Sequence, residues 1–149
     1  MTGVMSENLP VTVEQTFDTS IYQLWATLTD VNRMRQWFFS DIPDFKPEVG
    51  FATEFNVQSE SRNFLHQWEV TEAEPRKRLS LKWKYGGYPG QSKVTFELFQ
   101  ENHLVRLRLT HKGWENFPQD IPEFKRESCL GGWQYFIQNS LYEWFNKKD

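Results

Sequence analysis

The chain has one cysteine, Cys129, three histidines, and a slight excess of acid over base, with 17 Lys and Arg against 20 Asp and Glu. A single cysteine closes no disulfide within the chain. The histidines have no CxxC partner and no HxxxH or HExxH spacing, so no metal set is expected. No apolar run approaches the ~18 residues that would cross a bilayer. A formal net charge of −3 and a pI near 5.7 argue against a nucleic-acid surface, whose footprint is a basic domain with pI above ~9. The start, MTGVMSENLP, has neither a basic nor an apolar stretch and does not read as a secretory signal. With the cysteine count, this makes the cytoplasm the expected compartment.

Apolar residues are also scarce, at 38%, yet aromatics reach 17%, with 13 Phe, 7 Trp and 5 Tyr. A core of few but large side chains follows, and intrinsic disorder, which is poor in aromatics, is excluded. The length of 149 residues suits one domain, for which residues 1–8 read as a disordered tail and 9–149 as the folded unit.

Hydrophobic period supplies the order of elements. VTVEQTF alternates, placing Val11, Val13, Gln15 and Phe17 on one face of a strand. Ile21, Leu24, Trp25 and Leu28 then recur at helical spacing behind a cap at Asp18, Thr19 or Ser20, and VNRMRQWFF forms a second short helical piece before Pro43 and Pro47. From Phe51 to Lys112 the period is two. Phe51, Thr53, Phe55 and Val57 share a face, as do Phe64, His66, Trp68 and Val70, then Leu79, Leu81, Trp83 and Tyr85. Val94, Phe96 and Leu98 follow, and then Val105, Leu107, Leu109 and His111, while Ser80, Lys82, Lys84, Arg106, Arg108, Glu69 and Glu97 point outward. One apolar and one charged face describe an antiparallel sheet solvated on one side. A long C-terminal helix is expected over residues 121–148, with Phe124, Leu130, Trp133, Phe136, Ile137, Leu141 and Trp144 as its stripe. The architecture that fits is α+β: a curved antiparallel sheet gripping the long helix, with two short helices closing one end.

Four segments, in order, carry a resemblance over residues 9–149: FDTSIYQLWATLTDVNRMRQWF, WEVTEAEPRKRLSLKWKY, HKGW and GGWQYFIQNSLYEWF. Together they resemble the family named after the activator of heat-shock protein 90 ATPase, within the START-like or Bet v 1-like superfamily. The resemblance implies a helix-grip fold with a hydrophobic cavity between sheet and C-terminal helix. Superfamily members bind lipids, sterols or other flat apolar compounds, and some are cyclases or aromatases. The co-chaperone that names the family has a second, chaperone-binding domain, for which this chain has no room.

The candidate cavity residues are Trp37, Phe39, Phe51, Phe55, Phe64, His66, Trp68, Trp83, Tyr85, Phe96, His111, Trp114, Trp133 and Ile137. Rigid aromatic walls with sparse polar atoms suit a flat apolar ligand; the competing reading is that the rings interdigitate as core. Gln15, Thr53, His66, Tyr85 and His111 are the inward polar candidates. His66 and His111 also read as satisfied structural residues, and Cys129, with no evident base, as a buried inert thiol. The loop WFFSDIPDF either plugs a cavity mouth or packs on the sheet edge. Gly131 and Gly132, at ~0.8–1 kcal/mol each relative to Ala in a helix, mark either a close approach to sheet or ligand or a mild kink. The run PRKRLSLKWK reads as a turn followed by an outward strand face. No cofactor is expected and no catalytic residue is assigned. The leading expectation is non-enzymatic binding of a small hydrophobic molecule by a monomer or an edge-strand homodimer. The alternatives are activation of a chaperone ATPase and a cyclase-like enzyme.

Overall fold

In the computed structural model, residues 9–147 are described; the expected disordered start at 1–8 lies outside them. The alternating segments form six strands, β1 (Val11–Phe17), β2 (Ala52–Gln58), β3 (Asn63–Glu74), β4 (Arg78–Gly86), β5 (Ser92–Glu101) and β6 (Leu104–Lys112). They make one antiparallel sheet in the order β1-β6-β5-β4-β3-β2. Consecutive strands from β2 to β6 are joined as hairpins, and β1 closes the far edge by pairing with β6, Val11 opposite His111.

The inward face is buried as the alternation requires: Phe64, His66, Trp68 and Val70 on β3, Leu79, Leu81 and Trp83 on β4, and Val105, Leu107, Leu109 and His111 on β6. Outward, Glu14 receives Arg106 at 2.9 Å and Arg108 at 2.7 Å, Arg78 reaches Glu97 at 3.3 Å and Lys82 faces Glu69 at 3.7 Å. Exposed pairs of this kind contribute ~0.2–1 kcal/mol each. Ser80 departs from its expected outward solvation. It is fully buried, because Glu72 and Thr95 cover it, the hydroxyl donating to Glu72 Oε1 at 2.7 Å.

Helix α1 (Ile21–Thr29) starts at Ser20, whose side chain accepts from Gln23 N, and α2 (Val31–Trp37) starts at Asp30, whose carboxylate accepts from Arg33 N. These caps satisfy amide groups that the first helical turn leaves free.

The C-terminal helix is shorter at its start than the period suggests, and it is not uniform. Pro122–Phe124 forms a separate 3₁₀ turn, so Phe124 lies off the helix. Then α3 (Arg126–Trp133) runs into a π-helical stretch, Gln134–Ser140, and α4 (Leu141–Asn146). A π-helix bonds i to i+5 and turns less per residue than an α-helix. Residues four apart therefore stay in line, and Trp133, Ile137 and Leu141, all buried, stack along one face toward the sheet.

Gly131 and Gly132 are not sites of close approach: a Cβ built on either meets nothing within 4 Å. Gly90 is the glycine whose neighbourhood demands it. Its φ is +104°, and a Cβ there would collide with the carbonyl of Asn116, the contact that seats the β4–β5 loop on the turn at Trp114–Asn116.

Candidate functional site

The gap between sheet and helix divides into a filled part and a hollow part. The segment after α2 does the filling. Phe38 stacks on Trp37 at 4.6 Å and on Trp68 at 5.5 Å, and meets Phe136 edge-on at 4.9 Å. Phe39 touches Phe55, His66 and Phe136 at 5.5, 5.0 and 4.9 Å. Phe45 packs against Phe51 and Trp68 at the sheet edge. The loop is pinned: Arg35 donates to the carbonyls of Ile42 and Pro43 at 2.8 and 2.7 Å, and Ser140 Oγ donates to the Trp37 carbonyl at 2.6 Å.

Beyond Phe39 lies a cavity of about 140 Å³. Its sheet wall is His66, Trp83, Tyr85 and His111; its helix wall is Ser128, Cys129, Gly132, Trp133 and Phe136; Trp114, Phe117, Glu123 and Phe124 close the remaining side. Ser128 and Gly132, one helical turn apart, are exposed and mark the mouth, while Cys129 and Trp133 sit on the inner side of the same helix. Gly132 thus leaves the mouth unobstructed.

Of the expected cavity residues, Phe39, His66, Trp83, Tyr85, His111, Trp114 and Trp133 are brought together there. The others are not. Trp37 is buried between the short helices, its indole donating to the Thr27 carbonyl at 2.8 Å. Phe51 packs on Phe45, Phe55 lies behind His66, stacked at 5.3 Å, and Trp68 is enclosed by Phe38, Phe55 and Trp83. Phe96 meets the edge of Trp133 at 6.0 Å, and Ile137 is fully buried. Phe64 faces an adjoining outer recess with Phe124 and Tyr85. The physical reason is shared by most of them. Strand alternation says which rings point inward, but Phe38 and Phe39 enter from a non-strand segment and take the space in front of them. Gln15 and Thr53 also stay outside the cavity wall.

Phe117, Glu123, Phe124, Ser128, Cys129, Gly132 and Phe136 line the cavity without having been assigned to it. Phe136 belonged to the helical stripe and Gly132 carried a ligand reading among its alternatives. Glu123 had no sequence signal; it is placed by Arg62 at 2.9 Å and Ser59 at 2.8 Å, across from the β2–β3 turn.

Two polar assemblies face the space. In the first, Ser92 Oγ donates to the Trp83 carbonyl at 2.9 Å, so it accepts from His111 Nε2–H at 2.8 Å. That fixes the neutral tautomer, whose Nδ1 accepts from the Trp133 indole at 3.0 Å and lies 3.3 Å from Cys129 Sγ. Burial pushes the His111 pKa down to about 3 and the Cys129 thiol up to about 12. At neutral pH this pair is a thiol beside a neutral imidazole whose lone pair is already engaged.

In the second assembly, His66 Nδ1 lies 3.1 Å from the Phe64 carbonyl, which can only accept. The proton is therefore on Nδ1, and Nε2 is left as a bare acceptor. Burial lowers this histidine to about 4. Tyr85, its partner in the β3–β4 register, lies 4.9 Å away, ring to ring, and burial raises its hydroxyl pKa. The Trp83 indole N–H beside them is buried and has no partner among the described residues. No cluster of metal-ligating side chains occurs among the described residues, and none of the described helices is long and apolar enough to cross a membrane.

The fold recurs in known proteins. No curated protein matches the sequence. A protein of Mesorhizobium loti is similar in structure with a TM-score of 0.74 and 26% identity over 95% of this chain and 99% of its own. The Aha1 dimer of Colwellia psychrerythraea is similar with a TM-score of 0.68 and 18% identity over 92% of this chain and 96% of that one. An Hsp90 activator of Plasmodium falciparum is similar with a TM-score of 0.65 and 21% identity, over 91% and 92% of the two chains. The curved sheet wrapped on a C-terminal helix is the helix-grip fold. Residues 18–146 match the family described as activator of Hsp90 ATPase homolog 1-like protein, and the chain belongs to that family.

Proposed function

We propose that the protein binds a small hydrophobic molecule, without chemistry on it, in the cavity between sheet and helix. The observation that carries this reading is the cavity itself: about 140 Å³, walled by aromatic rings, with sparse polar atoms. A space of roughly 150 Å³ with apolar lining takes up benzene, whereas drug-sized ligands need ~300–1,000 Å³. The ligand is therefore one ring, or the ring end of a longer molecule whose remainder leaves past Ser128 and Gly132. Whole sterols and fused polyketides exceed the space that Phe38 and Phe39 leave.

Non-enzymatic action is supported by the protonation states. Neither His66 nor His111 is near the pKa that general acid–base work at neutral pH calls for, and the Cys129 thiol is held protonated. The test is tryptophan fluorescence, since Trp83 and Trp133 wall the cavity. Benzene and toluene are expected to change the emission saturably, and Gly132→Leu, which fills the mouth, to abolish the change. Silence across a broad set of single-ring compounds overturns the reading.

A second reading, activation of an Hsp90-type ATPase through the outer surface, is favoured by the family description and by the likeness to the Plasmodium activator. It predicts that ATPase stimulation survives Trp83→Ala.

A further inference from the structure

We propose that the cavity is a receptor for uncharged single-ring phenols, the ligand hydroxyl bridging Tyr85 Oη and His66 Nε2. This rests on the hydrophobic-ligand reading above and names its chemical class. His66 spends its only N–H on the Phe64 carbonyl, and neither its Nε2 nor the Tyr85 hydroxyl makes a hydrogen bond among the described residues, although both side chains line the cavity. A hydrogen bond contributes ~0.5–1.5 kcal/mol net, so a ligand that pairs both atoms is favoured over one that pairs neither.

His66 Nε2 can only accept, whereas Tyr85 Oη can donate. A single hydroxyl satisfies both at once, donating to Nε2 and accepting from Oη. An ether or ketone oxygen serves Tyr85 alone, and a methyl group serves neither. The two residues are register partners with ring centroids 4.9 Å apart at 80°, and both line the same cavity. The buried Trp83 indole N–H makes no hydrogen bond within ordinary limits but is near enough to the Tyr85 hydroxyl to act against the upward push of burial on its pKa, which leaves the hydroxyl hydrogen for a ligand oxygen. The His111 assembly does not compete, because Ser92, Trp133 and Cys129 already occupy it.

Charge narrows the class further. The single ionised side chain in the wall is Glu123, bound to Arg62, and both cavity histidines are neutral. A carboxylate entering this space loses its water and finds no cation, and it cannot donate to Nε2. Burying an unpaired charge is far more costly than burying a hydroxyl.

The test is calorimetric titration of the full chain at neutral pH with toluene, anisole, phenol and benzoate. Phenol is expected to bind about tenfold or more tightly than toluene or anisole, a difference of one strong hydrogen bond, and benzoate not to bind. In Tyr85→Phe, which conserves ring volume, the phenol-to-toluene ratio falls toward one, and His66→Leu does the same from the other side. Equal affinities for toluene and phenol, or tight benzoate binding, overturn the phenol assignment and leave the cavity reading standing. Absence of binding by both toluene and phenol overturns the two together.

Discussion

At the end of the sheet–helix gap next to α2, Phe38 meets Trp37, Trp68, Trp83, Trp133 and Phe136 with ring centroids 4.6–6.4 Å apart, and the rings fill the space. At the other end, His66, Trp83, Tyr85, His111 and Trp133 surround about 140 Å³ of open volume. Both ends are made of aromatic side chains drawn from the same strands and the same helix. What differs is the chemistry of the ring tips. Phe38, Phe39 and Phe55 are hydrocarbon to the edge and can close on one another in stacked or edge-on pairs. Histidine and tyrosine cannot do so without stranding a donor or acceptor. Trp68, whose indole N–H has no partner among the described residues, is the exception within the filled end. The hollow end therefore persists where polar tips converge, and that convergence is what the proposed ligand site has and the filled end lacks.

The largest effect that can break this contrast is removal of the plug. Phe38→Ala should cost ~3–5 kcal/mol, the range for a buried phenyl ring, read as a lower midpoint in urea denaturation. A loss under ~1 kcal/mol would mean that the filled end is not packed as described.

Acid should act on the hollow end. His66 and His111 have folded-state pKa values of about 4 and about 3, below the ~6.5 of an unfolded histidine. Between these limits the unfolded chain binds more protons, so stability is full above ~pH 6.5 and falls as pH drops toward 4. The expected loss is a few kcal/mol over that window, followed by urea midpoints at several pH values, and His66→Leu should flatten part of the slope. A pH-independent midpoint down to 4 would contradict the burial of both imidazoles.

Gly132→Leu should change stability by less than ~1 kcal/mol, with a gain from helix propensity, because its side chain enters open space. Marked destabilisation in thermal melts would place the mouth elsewhere. The smallest effect is expected for Arg62→Ala. The Arg62–Glu123 pair is partly exposed on both sides, and such pairs contribute ~0.2–1 kcal/mol. A larger loss would make this link between the β2–β3 turn and the Pro122–Phe124 turn a structural tie.

Much of the fold was legible because period-two patterns are local. The inward residues of β3 to β6 follow from alternation, and residue type narrowed the first cap to Asp18, Thr19 or Ser20, of which the structure uses Ser20; the cap at Asp30 was not read from the sequence. The break before Arg126 was less legible: helical spacing continued through Phe124, and only the backbone turn at Pro122 takes it off the helix. The site was legible by half. Alternation found His66, Trp83, Tyr85 and His111, but it also included Phe55, Trp68 and Phe96, which point the same way and are covered by other rings. Direction is a property of one strand, whereas enclosure depends on what arrives from elsewhere in the chain.

By itself the sequence determined a first strand followed by a run of alternating ones, two short helices, the first with a cap, and a helical stripe of rings, because each depends on neighbours a few residues apart. Tertiary structure alone decided where the aromatic excess becomes wall and where it becomes filling. That outcome rests on Phe38 and Phe39 entering the gap from a loop, on Ser92 fixing the His111 tautomer across the sheet, and on the β3–β4 register setting His66 beside Tyr85. These are long-range contacts, and no local pattern encodes the volume they leave open.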